Sequence, residues 1–83
     1  MISKKLLKYT VIYTEEPEDG FTVTVPSLPG CVTYGKNLKE AEKMAKEAIG
    51  LYLESLKSHK EDIPAGGRSF IGSVDLEFTQ AHA

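Results

Sequence analysis

From Leu7 to Tyr13 the odd positions Leu7, Tyr9, Val11 and Tyr13 alternate with Lys8, Thr10 and Ile12. This is the period of two of a strand with one buried face, blurred only by Ile12. The stretch Glu15-Glu16-Pro17-Glu18-Asp19-Gly20 forms turns, and Phe21, Val23 and Val25 then alternate with Thr22 and Thr24. A hairpin is predicted. Pro26 cannot donate to a sheet ladder, and Pro29-Gly30 supplies the fixed φ followed by the permissive residue that a type II turn requires. Residues 26–30 therefore read as a rigid corner, leading to a short third strand over Val32-Thr33-Tyr34 that ends at Gly35.

Asn37 is placed to cap a helix, with Glu40 three residues on to complete a capping box. At about 100° per residue, Leu38, Ala41, Ala45, Ala48, Ile49, Tyr52, Leu53 and Leu56 share one face, opposite Lys39, Lys43, Glu47, Glu54 and Lys57. Met44 and Leu51 fall too far round that stripe for one sheet to cover, which makes them candidate oligomer contacts. Gly50 weakens the helix by about 1 kcal/mol relative to alanine without an evident reason in the sequence. After Lys57, Ile63-Pro64 and Gly66-Gly67 mark a long connection, and Val74, Leu76 and Phe78 alternate with Asp75, Glu77 and Thr79 as a fourth strand. The expectation is an α+β fold, a small antiparallel sheet with one helix packed on it, in the order β-β-β-α-β, as a single domain over residues 1–83.

Eighty-three residues support one small core, and surface scaling predicts roughly 4,900 Å² of folded surface. Such a core is marginal, so self-association is expected to contribute stability. The lone Cys31 excludes an internal disulfide, and His59, His82 and one thiol do not make a structural zinc site. No apolar run reaches membrane-span length, and the lysines at the amino terminus are not followed by a signal-peptide core. A cytoplasmic protein is expected, with no membrane partner. Ten basic against twelve acidic side chains give a net charge of −2, which disfavours nucleic acid as a partner of this chain alone. The Lys4, Lys5 and Lys8 cluster reads as a solvated strand.

Candidate chemistry is sparse. Glu15, Glu16, Glu18 and Asp19 could in principle hold a divalent cation for a nuclease, but consecutive turn residues point into water rather than converging. Gly66-Gly67-Arg68-Ser69 lacks the spacing and lysine of a phosphate-binding loop. His59 sits past the helix, where an imidazole suits the dipole, and neither it nor His82 has an evident acid or nucleophile partner. Cys31 has no nameable activator and reads as a small buried hydrophobe. No catalytic, cofactor-binding or metal residue is assigned, and function is expected to reside in surfaces.

Taken in order, Asp19-Gly20-Phe21, Pro26-Ser27-Leu28-Pro29-Gly30-Cys31, Gly35, Asn37 and Leu38-Lys39-Glu40-Ala41 resemble the HicB-like antitoxin domain. Ala45, Glu47-Ala48, Tyr52-Leu53-Glu54 and Ile63-Pro64 continue the likeness, which covers roughly residues 6 to 64; Ser27 stands where the family commonly has aspartate. The resemblance implies an architecture partly similar to the double-stranded-RNA-binding fold. It also implies a partner, a small basic ribonuclease of the HicA type, neutralised when the antitoxin covers its RNA-binding and catalytic surface. Steering between an acidic inhibitor and a basic nuclease would raise their association rate. Family members typically add a carboxy-terminal DNA-binding module, whereas this chain stops soon after Phe78, so autoregulation by this chain alone is not expected. The alternative is a solitary oligomeric module with a ligand-binding or scaffolding role and no toxin partner.

Overall fold

The computed structural model describes residues 6–80. Three strands, β1 (Ile12–Glu15), β2 (Phe21–Thr24) and β3 (Val32–Gly35), precede one helix, α1 (Leu38–Ser58). The sheet is antiparallel in the order β1-β2-β3, with Tyr13 opposite Val23 and Val23 opposite Thr33. The α+β class and the order of these four elements match the sequence reading.

The β1–β2 ladder stops where the corner begins. Pro26 has no N–H, and the Val25 N–H donates instead to the Cys31 carbonyl at 3.3 Å. Residues 7–11, expected in β1, thus have no β2 partner, although Leu7, Tyr9, Val11 and Tyr13 keep their inward parity and are half-buried. In the corner the Leu28 N–H donates to Val25 and the Cys31 N–H to Leu28, each at 2.9 Å. Gly30 takes φ +80° after Pro29, the conformation required at the third position of a type II turn.

The helix begins as its cap predicts: the Glu40 N–H donates to Asn37 Oδ1 at 2.8 Å. The Glu40 carboxylate reaches back one residue further than a standard capping box and accepts from the Lys36 N–H at 3.1 Å. The helix ends in a Schellman arrangement, with the Lys60 N–H on the Lys57 carbonyl and the Glu61 N–H on the Leu56 carbonyl. Lys60 occupies the left-handed position, φ 55°, where glycine is usual.

Small residues set the distance between helix and sheet. Ala41 and Ala45 pack on Val23, with Val11, Tyr13 and Phe21 at the margin. Gly35 abuts Ala41 so closely that any Cβ at residue 35 would overlap the Ala41 backbone. A second cluster, Val25, Leu28 and Cys31, packs beneath Tyr9, Val11, Ala48, Ile49, Tyr52 and Leu53. Val11 touches both. Leu38, placed on the buried helix face by periodicity, is half exposed, because it precedes the turn at which Gly35 meets Ala41.

The fourth strand is a correction. Residues 61–80 belong to no helix or strand, and Val74, Leu76 and Phe78 are 90%, 82% and 76% exposed. Alternation specifies two unlike faces, but a strand exists only where a neighbour accepts its hydrogen bonds, and no such neighbour lies beside this segment among the described residues. The molecule accordingly measures 68 × 26 × 21 Å and exposes 7628 Å², well above the scaling value. Lys4, Lys5 and His82 lie outside the described residues.

Two substitutions test this packing. Gly35→Ala should lower stability by about 1–3 kcal/mol in urea denaturation, as overpacking does. Lys60→Gly should raise it by roughly 0.5–1 kcal/mol by relieving the left-handed residue.

Candidate protein-binding surface

The pleat that turns Tyr13, Val23 and Thr33 toward the helix turns their neighbours away. The register aligns Ile12, Thr24 and Val32 in one row and Thr14, Thr22 and Tyr34 in the next, all on the face that α1 does not cover. Val32 is 58% and Tyr34 47% exposed, and Ile12, the residue that interrupted the polar parity of β1, is exposed as well. The result is a small sheet face of three apolar residues and three threonines, with the β3 edge, unpaired among the described residues, along one side.

Acidic groups border it. The hairpin turn places Glu16, Pro17, Glu18 and Asp19 around the Tyr34 ring, lining an open depression. The Tyr34 hydroxyl donates to the Asp19 carbonyl at 3.0 Å. Gly20, φ +80°, is pressed on that ring, so a Cβ there would displace Tyr34. Two of the four carboxylates serve the hairpin itself: Glu16 accepts from the Thr22 hydroxyl, and Asp19 from the Gly20 N–H at 2.9 Å. Among the described residues no three His, Cys, Asp or Glu side chains converge as metal ligands. The acidic turn is a charged rim to the sheet face.

The remaining candidates are structural in place. Pro26 and Pro29 are exposed at the corner, Leu28 and Cys31 are buried under it, and the Pro29 carbonyl accepts the Tyr52 hydroxyl at 2.9 Å, which ties corner to helix. Phe21 lies at the core margin, Gly35 and Ala41 at the sheet–helix contact, and Asn37 at the cap. Met44 is half-buried, whereas Leu51 is 73% exposed. His59 holds Ser55 through a 2.7 Å contact from Nδ1 to the carbonyl. Gly66-Gly67-Arg68-Ser69 belongs to no helix or strand and lacks the helix N-terminus that a phosphate cradle uses. The open sheet face was missed from sequence; its signal was the parity opposite to the core, in which Ile12, Val32 and Tyr34 stand among threonines.

The model of the HicB-like antitoxins of bacterial toxin–antitoxin systems matches residues 9–78. The chain belongs to this family. It is 55% identical over 58 residues to a UPF0150 protein of Thermoplasma acidophilum, covering 70% of this chain and 84% of that one. A UPF0150 protein of Archaeoglobus fulgidus is 43% identical over 56 residues, 68% of this chain and 80% of its own. An uncharacterized 14.9 kDa protein of Haemophilus phage HP1 is 42% identical over 53 residues, which are 64% of this chain and only 40% of the phage protein. No helix among the described residues is long and apolar enough to cross a membrane.

Burial pushes the Cys31 thiol up from its ordinary range, and burial followed by the nearby Glu42 carboxylate pushes the Tyr13 phenol up. Both neutral forms are favoured by folding. The stability they confer is complete below the unfolded pKa values, near 8.5 and 10, and is lost as pH rises through the higher folded values. The urea midpoint should therefore fall between pH 8 and pH 10.5, with a smaller fall in Cys31→Val. Native Cys31 should react with a thiol reagent at pH 8 far more slowly than the urea-unfolded chain; equal rates would contradict its burial.

Proposed function

We propose that this chain is a non-catalytic, cytoplasmic antitoxin domain that neutralises a small basic ribonuclease of the HicA type by covering its RNA-binding and catalytic surface. The observation that carries this reading is the uncovered sheet face of Ile12, Val32 and Tyr34 beside the acidic turn, in a chain of the HicB-like antitoxin family. Its apolar centre with a charged border has the anatomy of a protein interface. The border matches a basic nuclease in sign. Carboxylates engaged in the hairpin's own hydrogen bonds hold their charge in place without ordering cost at association, and the unpaired β3 edge offers backbone groups for a further strand. Nothing in this mechanism requires a reaction on the antitoxin's side.

Self-association is the second part of the proposal. The small core and the exposed Leu51 beside Met44 favour a homo-oligomer. The same features also suit the solitary module without a toxin, and the adjacent genes separate the two readings.

Co-expression with a neighbouring small basic toxin gene should relieve growth arrest and give a co-purifying complex. Val32→Lys, on an exposed strand position, should abolish co-purification while leaving the circular dichroism spectrum unchanged. Glu15→Lys with Glu18→Lys should slow association about tenfold at low salt, and the difference should shrink at high salt. Undiminished binding by Val32→Lys would place the interface elsewhere.

A further inference from the structure

Among the described residues, the segment after the helix has apolar side chains with nothing to cover them, and the body has an apolar groove with nothing in it. Phe70, Ile71, Val74, Leu76 and Phe78 are 68–90% exposed, more large apolar surface than a short monomer ordinarily leaves in water. They fall within the residues matched by the family model, so the arm is part of the same unit as the sheet and helix. On the far side of the molecule from the open sheet face, a groove of ≈ 460 Å³ runs between the residues leading into β1 and the helix. Its apolar walls are Tyr9, Val11 and Tyr13 on one side and Ala45, Ile49 and Leu53 on the other.

Where the arm starts is well defined. The Tyr9 hydroxyl donates to the Pro64 carbonyl at 2.6 Å, and Gly66 lies so close to the Lys8 carbonyl that a Cβ would overlap it. Residues 66–70 line a depression together with Lys8, Tyr9 and Thr10, at the entrance to the groove. Beyond that point the arm departs, and residues 71–78 in extended form reach up to roughly 26 Å, far enough to cross a body 26 × 21 Å in section. A strand laid along the groove needs alternate apolar residues, which Val74, Leu76 and Phe78 supply, and polar ones outward, which Asp75, Glu77 and Thr79 supply.

We propose that the arm of a second copy of this chain occupies the groove, and that the exchange is reciprocal. Residues 74–78 of each copy add to the free β1 edge of the other, with Val74, Leu76 and Phe78 covering Val11, Tyr13 and Ile49. Two arms with five large apolar side chains each, together with the walls they cover, reach the order of the ~1,600 Å² typical of a specific interface. The same arrangement accounts for Gly50, the helix-interior glycine that the sequence alone left without a reason: it lines the groove, and a Cβ there would point into open space that the incoming strand needs. The fourth strand of the sequence pattern is then formed between molecules. This deepens the self-association proposed above and replaces Met44 and Leu51 as its principal contact.

Light scattering on the purified full chain at micromolar concentration tests it. A dimer is expected, and a monomer, with the arm folded back on its own groove or left free, would overturn both this proposal and the self-association on which it rests. Leu76→Asp changes a side chain that is exposed in the isolated subunit, and Gly50→Asp places a charge in the groove on an exposed helix position of similar helix propensity. Each should halve the measured mass while the circular dichroism spectrum keeps its helical signal. If both variants remain dimeric, the arm exchange is wrong and the Met44–Leu51 surface is the interface; if only Gly50→Asp remains dimeric, the arms pair elsewhere and the groove assignment fails.

Discussion

Everything in this small protein depends on how closely one helix approaches one face of a three-stranded sheet. Gly35 and Ala41 meet backbone to backbone, and Ala45 and Val23 continue the contact, so α1 sits low on the sheet with its axis fixed by residues that have almost no side chain. A close seat gives good dispersion contact per unit of area but allows only a thin core. Six apolar residues are buried among those described, and none is larger than leucine. The consequence for function is geometric. One sheet face is committed to the helix, and the other, with Ile12, Val32 and Tyr34, is left uncovered by it.

The corner between β2 and β3 completes that arrangement. Pro26 ends the ladder, the two linked turns bring Leu28 and Cys31 under the helix, and Tyr52 clasps the Pro29 carbonyl from above. The corner thereby fills the end of the core that the short strands cannot reach. It also stops β2 before it can pair with residues 7–11.

Much of this was legible in the residues. The inward parity of β1, the hairpin turn, the type II turn at Pro29-Gly30 and the Asn37 cap are each set by local chemistry, and the structure places all of them as their spacing implies. What was not legible depends on neighbours. Leu38 carries the right phase for burial but precedes the helical turn at which Ala41 meets Gly35, and Lys60 takes a left-handed turn that no glycine announced. Val74 to Phe78 have the alternation of a strand, but alternation is silent about which edge will receive it. The open sheet face was concealed because a row of threonines with three larger residues looks polar along the chain and becomes a patch only once the register brings Ile12 beside Thr24 and Val32.

The central claim is that the protein acts by shape-matched contact through the sheet face opposite the helix. The most direct test is the change in amide and methyl resonances of the isotope-labelled chain as a cognate basic toxin is added. The account predicts shifts concentrated at Ile12, Thr22, Thr24, Val32 and Tyr34 and in the acidic turn at Glu18, with the outward side of the helix unmoved. Shifts confined to the helix at Lys39, Lys43 and Glu47, with the strands unchanged, would contradict it.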